Sequence, residues 1–389
     1  MIQAIHANIV IDGIHDEPIY NQLITIEDQK IVNIEKFNNQ PNTIEANVVT
    51  PGFFNCHVHI MDPVNVPLRK GLSTAEKFYY AQKHCLDYIQ TGVTFVRNVG
   101  TEKNYDLEIK DAIDKGLIVG PHMYCSGKMI CITGGHGWPV GIEADGVDEC
   151  RKAARTQIRE GVDLIKVMAT GGVMTKGNGA GSPPQFTIEE LKAVNEEAHK
   201  AGRKTATHAQ SMQGIKNALY AGIDSIEHAC QLDEECIDLM LKQGTYMVPT
   251  LCAPQCIVEN GIKNGVDQYV VDKTEVLRYD HIQSLKLAYK NGVKIACGTD
   301  AGTPFNYHNN TMYELELMEK HGLKRMDILK IATRNSAECC GVLDQYGTIE
   351  IGKHADLVLL KENPLKNISN VRTIDKVMKD GKIMYERKA

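Results

Sequence analysis

The stretch KTATHAQSMQGIKNALYAGIDSIEHA, residues 204–229, contains one complete repeat of the fold expected for this chain. Two short segments, KTATHA and DSIEHA, predict β-strands, and the amphipathic segment SMQGIKNALYAG between them predicts a helix. Each predicted strand carries a histidine near its carboxyl end, His208 in the first and His228 in the second. The stretch therefore predicts a βαβ unit that brings two histidines to one edge of a parallel sheet.

The same alternation of strand and helix extends in both directions, over residues 51–343. Eight segments predict strands: FFNCHVHI, VTFVRNV, MYCSGKMI, DLIKVMA, KTATHA, DSIEHA, TYMVPT and KIACGTD. Amphipathic helices separate them, and one of these begins with a capping box of Thr187 and Glu190 and ends near Gly202. Eight strands alternating with helices predict an α/β fold of the (β/α)8 TIM-barrel type. A doubly wound open sheet is the competing architecture, but no GxGxxG follows the first strand.

Both ends of the chain differ from the middle. Residues 1–50 and 344–389 alternate apolar and polar residues in short runs broken by turn residues, for example QAIHANIVIDG and GTIEIGKHADLVLL. Such runs predict short antiparallel strands. We expect the two ends to pair into one small β domain around the central barrel.

The composition excludes several classes of function. A net charge of −6 gives no basic surface for a nucleic acid and no polybasic patch for a membrane. No apolar run approaches the ~18 residues of a membrane span, and the N-terminus lacks the pattern of a secretory signal. The twelve cysteines include no CxxC pair. We therefore expect reduced, mostly buried thiols in a cytoplasmic protein.

Ionisable side chains gather near the carboxyl ends of the predicted strands, where barrel enzymes place their active sites. The set comprises four imidazoles, one amine and one carboxylate: His57, His59, His208, His228, Lys166 and Asp300. Imidazole and carboxylate are ligands that Zn²⁺ prefers, and this set exceeds what one catalytic zinc ion needs. The surplus predicts two metal ions about 3.5–4 Å apart. For Lys166, the residue pattern leaves open a side chain that snorkels to solvent.

Several motifs, in this order, resemble the amidohydrolase superfamily: PGFFNCHVHI, DLIKVMATGGVM, THA, IEHAC and GTDAG. Near the C-terminus, GTIEIGKHADLVLL and IDKVMKDGKIMYE resemble its composite β-sandwich. Within the superfamily, IKVMATGGVM and the TGGHG of residues 133–137 resemble the Xaa-Pro dipeptidase-like and imidazolonepropionase-related branch. That branch also contains peptidases for other dipeptides and an ochratoxin-cleaving amidase. The resemblance implies a barrel over residues 51–343 and a small β-sandwich of residues 1–50 and 344–389.

The resemblance also implies a binuclear metal site with Zn²⁺ as the expected metal. His57, His59 and Asp300 would bind the more buried ion. His208 and His228 would bind the second ion.

Three residues would carry the chemistry that the resemblance implies. Lys166, N-carboxylated by CO2, would bridge both metals as an anionic carbamate. Asp300 would take the proton of a bridging hydroxide as it attacks the amide, then donate it to the leaving amine. His136, after the third strand, would polarise the scissile carbonyl or stabilise its oxyanion.

Two departures from the family pattern concern the substrate. Gln210 stands where some proline-directed dipeptidases carry a tyrosine, which weakens a prediction of Xaa-Pro specificity. Arg97 is followed by Asn98 at the end of the second strand, where branch members often carry Arg-Asp. We take Arg97, His136 and Gln210 as candidate substrate contacts. For Arg97, a buried arginine that braces the barrel is an equal alternative.

Other segments have less specific patterns. The loop of residues 177–185, rich in glycine and proline, is either a lid over the site or an ordinary connection. The segment of residues 253–273, after the seventh strand, is long for a loop, and we expect it to shape the substrate pocket. Four histidines of predicted helices are expected at the surface: His84, His199, His281 and His321.

These observations predict a cytoplasmic, homo-oligomeric, binuclear zinc hydrolase that cleaves an amide bond in a dipeptide or an N-acyl amino acid. A small-molecule or dipeptide substrate is the expected partner, with no nucleic acid and no membrane. The alternative enzyme is a cyclic-amide hydrolase or a deaminase of imidazolonepropionase-related type. Those relatives use one metal and need no carboxylated lysine, so Lys166 speaks against them. A non-catalytic scaffold is disfavoured because every ligand position is filled.

Overall fold

The computed structural model describes residues 2–64, 71–173 and 183–388. Its strands, in chain order, are β1 (Ile2–Val10), β2 (Ile19–Glu27), β3 (Lys30–Lys36), β4 (Ile44–Pro51), β5 (Phe53–Val58), β6 (Val93–Asn98), β7 (His122–Cys125), β8 (Ile130–Cys131), β9 (Ile142–Glu143), β10 (Leu164–Met168), β11 (Lys204–Ala209), β12 (Ser225–His228), β13 (Tyr246–Val248), β14 (Leu357–Leu360), β15 (Ile374–Lys379) and β16 (Lys382–Glu386). Most of the loop of residues 177–185 lies outside the described residues, so its role as a lid stays a prediction.

Helices alternate with the central strands. They are α1 (Thr74–Gln90), α2 (Tyr105–Asp114), α3 (Gly146–Glu160), α4 (Ile188–Lys200), α5 (Met212–Tyr220), α6 (Glu234–Gln243), α7 (Cys252–Asn260), α8 (Gln268–Lys290), α9 (Thr311–Lys320), α10 (Arg325–Lys330) and α11 (Ser336–Cys340). The capping box predicted for α4 is present, with the hydroxyl of Thr187 accepting from the Glu190 amide and the Glu190 carboxylate accepting from the Thr187 amide. These bonds satisfy amide groups that the first turn leaves without partners.

The central strands form two parallel sheets, which makes the molecule an α/β fold. One sheet contains β5, β6 and β7, and the other has the order β13-β12-β11-β10-β8-β9. The predicted strand MYCSGKMI is divided into β7 and β8. Between them Gly127 has a φ of 60°, a conformation that ends the extended run.

The eighth predicted strand, KIACGTD, lies between the two parallel sheets and contacts both. Its Lys294 carbonyl accepts from the amide of Met247 in β13 at 2.9 Å, and its Cys297 carbonyl accepts from the amide of Cys56 in β5 at 2.7 Å. It forms a single parallel bridge at Ile295 rather than a continuous ladder, and a second bridge lies at Ala301, directly after it. The segment nonetheless positions Asp300 beside β5.

The two ends of the chain share a seven-stranded sheet in the order β16-β15-β14-β4-β1-β2-β3. Its neighbours are antiparallel, except for the parallel pair β1 and β4. Strand β4 pairs with β14 on its other side, with Pro51 opposite Leu357. Strand β4 therefore joins N-terminal strands to C-terminal ones and leads directly into β5.

One continuous apolar core links this sheet to the parallel sheets. Val48 of β4, Phe53 of β5, Val96 of β6 and Val358 of β14 are all fully buried and belong to the same cluster. Each such side chain contributes about 1.5–3 kcal/mol to folding. Among the helices of the described residues, none has the length and apolarity to cross a membrane.

Candidate metal centre

Parallel strands bring the predicted ligands to one edge. His57 lies next to last in β5, and Lys166 lies in the middle of β10. His208 lies near the end of β11, where the following residue, Ala209, is opposite His228 in β12. All six predicted ligands border one cavity with about 780 Å³ of empty space.

The tightest group comprises His57, His59 and Asp300. The Oδ1 atom of Asp300 lies 3.4 Å from Nε2 of His57 and 3.1 Å from Nε2 of His59. One donor atom from each residue lies within 4.8 Å of the other two, as ligands of one ion do. Burial raises the pKa of Asp300, but the two imidazoles outweigh it and hold that pKa well below its usual range. The carboxylate is therefore ionised and suited to a cation.

His208 and His228 stand beside this group. Their ring centroids are 4.6 Å apart, and the His228 ring lies 5.1 Å from that of His57. Burial lowers the pKa of both imidazoles well below the usual value. Each ring is therefore neutral at pH 7, and a neutral ring has one nitrogen lone pair to offer a metal.

Lys166 lines the same cavity and is almost completely buried, with 1% of its surface exposed. Burial lowers the pKa of its amine to about 8, while the carboxylates of Glu227 and Asp300 act in the opposite direction. A snorkelling side chain would place its ammonium in solvent, so that alternative does not fit the observed burial. With a pKa of about 8, the Lys166 ammonium loses its proton more easily than that of an exposed lysine.

A hydrogen-bond partner holds the other ring nitrogen of each histidine. The pairs are His57 Nδ1 with Glu227 Oε2 at 2.7 Å, His59 Nδ1 with the Gly100 carbonyl at 3.1 Å, His208 Nε2 with the Gly171 carbonyl at 3.0 Å, and His228 Nδ1 with Thr250 Oγ1 at 2.7 Å. Such partners fix ring orientation and tautomer in metal sites. They leave Nε2 of three histidines, and Nδ1 of the fourth, for a ligand.

Glu227 connects His57 to Arg97. The Oε1 atom of Glu227 accepts from Nη2 of Arg97 at 2.7 Å and from the hydroxyl of Ser225 at 2.7 Å. Arg97 also donates Nε–H to the Cys56 carbonyl at 2.6 Å. Burial raises the pKa of Glu227, but Arg97 and His57 together lower it to about 2. Arg97 does not border the cavity. Its contacts are those of a buried arginine that braces the barrel, the alternative to a substrate contact.

The backbone is strained at two of the candidate ligands. His228 has a φ of 69° and Asp300 a φ of 60°, left-handed values that residues other than glycine rarely adopt. Each such residue costs about 1–3 kcal/mol and is retained when the surrounding structure holds it. Both lie where the chain turns away from a parallel strand, so the strain directs their side chains into the cavity.

The other predicted substrate contacts, His136 and Gln210, both line the cavity. The His136 ring lies 4.5 Å from the His208 ring, and burial lowers its pKa to about 4, so the imidazole is neutral at pH 7. A Cβ atom on Gly172 would lie 2.6 Å from Cε1 of His136, so only glycine permits this close approach. The remaining wall is largely apolar and comprises Met168, Val173, Cys230, Ala253, Pro254, Ile257 and Leu277.

The segment of residues 253–273 is helical over most of its length rather than a loop. Ala253, Pro254 and Ile257 of α7 line the cavity, as expected for a segment that shapes the substrate pocket. The prediction of a surface position was wrong for two of the four helix histidines, His84 and His281. His84 is buried and bonds to the Ile60 carbonyl at 2.8 Å, and His281 of α8 is buried and lines the cavity.

Sequence reasoning missed Glu227 and His281 as parts of the site. Glu227 lies in β12, all of whose residues are buried. An acidic residue within a short buried strand indicates a buried partner of opposite charge or a hydrogen-bond donor, and this was the available signal. His281 follows Leu277 by four residues and precedes Leu285 by four, so it shares the buried face of α8. This spacing was the signal that His281 faces inward.

The donor set fits a borderline divalent cation. It combines four imidazoles whose orientations are held by hydrogen bonds, an ionised carboxylate and a buried amine, and it offers nitrogen and oxygen donors of the kind that Zn²⁺ binds. Four imidazoles and a carboxylate in one cavity exceed the needs of a single catalytic ion. These residues therefore meet the chemical requirements of the metal site expected from the sequence.

The profile of the amidohydrolase family matches residues 48–384. The chain belongs to the amidohydrolase family. The ochratoxinase of Aspergillus niger is 32% identical to this amidohydrolase over 98% of the chain and 86% of its own length. A solved Xaa-Pro dipeptidase with methionine bound in its active site is 33% identical, with a TM-score of 0.92 and complete coverage of both chains. The imidazolonepropionase of Rhizobium rhizogenes is 29% identical over 45% of the chain and 39% of its own length.

These similarities confirm the family and branch expected from the motifs. With dipeptidase and ochratoxinase relatives over nearly its whole length, this amidohydrolase is a hydrolase that acts on amide bonds. Its family typically uses metal ions, and the His57, His59 and Asp300 group is a candidate for such an ion.

Proposed function

We propose that this amidohydrolase cleaves the amide bond of a dipeptide or an N-acyl amino acid with two divalent metal ions, of which Zn²⁺ fits the donor set best. The observation that carries the proposal is the convergence of four imidazoles, an ionised carboxylate and a buried lysine on one cavity. His57, His59 and Asp300 would hold one ion. His208 and His228 would hold the other.

Lys166 would complete the site as a carbamate. Its neutral amine would form a C–N bond to CO2 and release one proton to solvent, which converts the amine into an anion. The lowered pKa of about 8 increases the fraction of the nucleophilic neutral form. Two cations nearby would favour the anionic product.

The chain's own residues would orient the substrate and move its protons. Bound divalent ions would supply Lewis acidity and lower the pKa of a water molecule. Asp300 would accept the proton that the attacking water loses and donate it to the leaving amine. Neutral His136 would donate a hydrogen bond to the scissile carbonyl oxygen, which gains negative charge during the attack.

The substrate class follows from the cavity and from the names of the relatives. One relative is named an ochratoxinase, and a solved relative is named an Xaa-Pro dipeptidase. The apolar wall formed by Ala253, Pro254, Ile257 and Leu277 suits a hydrophobic side chain on one side of the amide. Gln210 offers an amide group for polar contact with the substrate.

The decisive experiment is a hydrolysis screen with the zinc-loaded protein. Libraries of dipeptides and N-acyl amino acids are incubated with it, and the released amine is quantified by mass spectrometry. We expect turnover of members with a hydrophobic side chain, loss of turnover after chelation, and recovery on addition of zinc. If every linear amide stays intact while a cyclic amide opens or an aminated heterocycle releases ammonia, the proposal is wrong.

A second candidate has a specific observation in its favour. Similarity to an imidazolonepropionase extends over 45% of the chain, so a cyclic-amide hydrolase or deaminase is the alternative. The buried Lys166 disfavours it because those enzymes need no carboxylated lysine. Cyclic amides and aminated heterocycles are therefore included in the same screen.

We also propose the finer architecture expected from the sequence. Residues 51–343 would form a closed (β/α)8 barrel, supported by the hydrogen bonds of residues 294–301 to both parallel sheets. Residues 1–50 and 344–389 would form a composite β-sandwich domain, supported by their shared sheet. An experimental structure of the complete chain tests both assignments.

Location and assembly stay predictions. All twelve cysteines lie in the described part of the chain and are free, buried thiols, which supports a cytoplasmic protein. We expect a homo-oligomer, which light scattering coupled to gel filtration measures directly. Cell fractionation with an antibody to the protein tests the location.

A further inference from the structure

A second group of residues that could bind a metal comprises His122, Asp356 and Asp380, and it is separate from the candidate metal centre. His122 is the first residue of β7, whereas His57, His208 and His228 of the candidate metal centre lie at or near the carboxyl ends of their strands. Asp356 immediately precedes β14, and Asp380 lies in the turn between β15 and β16. The three side chains therefore meet where the sheet of the chain ends packs on the parallel strands.

Both carboxylates direct one oxygen toward the same imidazole nitrogen. Nε2 of His122 lies 3.3 Å from Oδ2 of Asp356 and 3.5 Å from Oδ2 of Asp380. One donor atom from each of the three residues lies within 4.8 Å of the other two. The three donor atoms are one imidazole nitrogen and two carboxylate oxygens, a set that suits Zn²⁺ and similar cations.

Two of these converging atoms lack hydrogen bonds among the described residues. Nε2 of His122 and Oδ2 of Asp356 are both buried and have no hydrogen-bond partner, although they lie only 3.3 Å apart. Asp356 is 95% buried, since 5% of its surface is exposed. An ion pair of 3.3 Å without a hydrogen bond leaves a buried carboxylate oxygen poorly satisfied, which is costly, so this arrangement favours a further partner.

The other oxygens of the two carboxylates are already occupied. Oδ1 of Asp356 accepts from the Asp380 amide at 2.8 Å, and Oδ1 of Asp380 lies 2.7 Å from Nδ1 of His354. The Tyr346 ring packs between the two histidines, with centroids 4.7 Å from each. These contacts hold both carboxylates in orientation, as outer contacts do around a metal.

The distances match a shared ion better than direct hydrogen bonds. Ligands about 2.0–2.1 Å from a tetrahedral zinc ion lie about 3.3–3.4 Å from one another. A charged hydrogen bond between imidazolium and carboxylate is shorter, about 2.7–2.9 Å. The nearby Lys379 donates to the Gly120 carbonyl at 3.0 Å, so its ammonium is engaged elsewhere.

We propose that His122, Asp356 and Asp380 bind a divalent cation of the zinc type. This ion would fasten the turn between β15 and β16 and the start of β14 to β7. Its role would be structural, because His122 begins its strand and barrel enzymes perform chemistry at the opposite strand ends. The proposal does not depend on the proposed amide substrate.

The direct test uses crystals of the zinc-loaded wild-type protein. Anomalous difference maps recorded above the zinc absorption edge report each bound zinc ion. We expect a peak between His122, Asp356 and Asp380 in addition to those at the candidate metal centre. Full occupancy at His57, His59 and Asp300 without a peak at His122 would show that the second site is not a zinc site.

A solution test counts metal by difference, so failure of the catalytic proposal does not affect it. Two variants, His122→Gln and Asp380→Asn, are compared with wild type by elemental analysis after equilibration with zinc. We expect each to lose one zinc ion per chain and to lose part of the rise in melting temperature that zinc produces. Two variants guard against a fold defect in either one.

The matched control is His199→Gln. His199 bonds to a single carboxylate, with its Nε2 2.7 Å from Oδ2 of Asp224, and should keep the wild-type zinc content. Equal zinc content in wild type, His122→Gln and Asp380→Asn would overturn the proposal and leave an ion pair between His122 and its carboxylates as the correct description.

Discussion

Lys166 is the single residue whose environment most restricts the chemistry of the site. We expect Lys166→Ala to lose at least one metal ion per chain and nearly all activity, because the anionic bridge disappears. A short carboxylic acid added to the variant should restore part of both, since it supplies the missing anion in the space that the side chain leaves. Elemental analysis and amide hydrolysis measure the two effects.

The control for this prediction is Lys204→Ala, which removes an exposed lysine that pairs with Asp224. It should keep wild-type metal content and rate. Lys166→Ala with normal metal content and rate would show that no lysine bridge exists.

Glu227 is expected to act through His57 rather than on the substrate. Glu227→Gln should weaken metal binding about 10- to 100-fold, because the carboxylate that orients the His57 ring is lost. It should also destabilise the fold by about 3–5 kcal/mol, because buried Arg97 loses its countercharge. Competition with a chelator and denaturant unfolding give the two quantities.

The exposed residue Glu235, which pairs with Lys216, provides the matched carboxylate-to-amide change. Glu235→Gln should change neither quantity appreciably. Equal behaviour of the two variants would contradict the orienting role of Glu227.

The convergence of the candidate ligands on one cavity was predictable at this scale because parallel strands align their carboxyl ends. The bond between Glu227 and His57 was not, because β12 and β5 belong to different sheets and only their packing brings the two residues together. The snorkelling alternative for Lys166 also needed the structure, since burial is not readable from a short apolar run.

Among the secondary-structure elements, helix α4 offers a test of the capping box. Thr187→Ala should cost about 1 kcal/mol of unfolding free energy, because the Glu190 amide loses its acceptor. Denaturant titration measures the change. Ser211 stands at the same cap position of α5, but its hydroxyl makes no cap bond. Ser211→Ala should therefore cost much less, and equal costs would contradict the capping explanation.

The contact between α3 and α4 predicts a dependence on pH. Hydrogen bonding to Arg155 and Arg151 lowers the pKa of Glu197 to about 2, while an unfolded glutamate titrates near pH 4.3 as a rough reference. Because the folded pKa is the lower one, this contact stabilises the fold above about pH 4.3, and the contribution is lost as pH falls toward 2.

Melting temperatures of wild type and Glu197→Gln, recorded from pH 7 to pH 2.5, measure this contribution. Wild type should melt higher at pH 7, and the two curves should converge as the pH falls through this window. Glu362→Gln, at an exposed position, changes the net charge equally and should show no such convergence. Parallel curves for Glu197→Gln would mean that this carboxylate is not the titrating group.

The sequence pattern located most elements but not their continuity. Alternation and caps indicate where a strand or helix begins, as Thr187 does for α4. Continuity depends on backbone conformation: Gly127 interrupts one predicted strand, and another, residues 294–300, forms only an isolated bridge at Ile295 before the left-handed Asp300. Side-chain patterns do not encode such departures.

At the scale of the whole molecule, the two ends of the chain share a core with the middle. We expect a chain reduced to residues 51–343 to aggregate or to unfold without a cooperative transition. Removal of the two ends removes β14, whose Val358 packs into the same core as Phe53 and would lie 3.1 Å from a Cβ atom placed on Gly92. Circular dichroism and sedimentation measure the outcome.

A chain that lacks only residues 388 and 389 is the control and should fold like the full chain. Cooperative unfolding of residues 51–343 on their own would show that the barrel is an independent domain. Pairing of the two ends was predictable, because both ends alternate with the same period. The order of the seven strands was not, since many pairings satisfy that period equally well.

The position of β4 in the sheet has a consequence for synthesis on the ribosome. One edge of β4 pairs with β14, where Pro51 lies opposite Leu357. The ribosome therefore makes the partner strand roughly 300 residues after β4. At about 5–20 residues per second, that edge waits roughly 15–60 s for its neighbour. During this interval an open strand edge can pair with nascent chains on neighbouring ribosomes. Protease cleavage within residues 44–51 of stalled nascent chains should therefore be fast until residue 360 has left the ribosome.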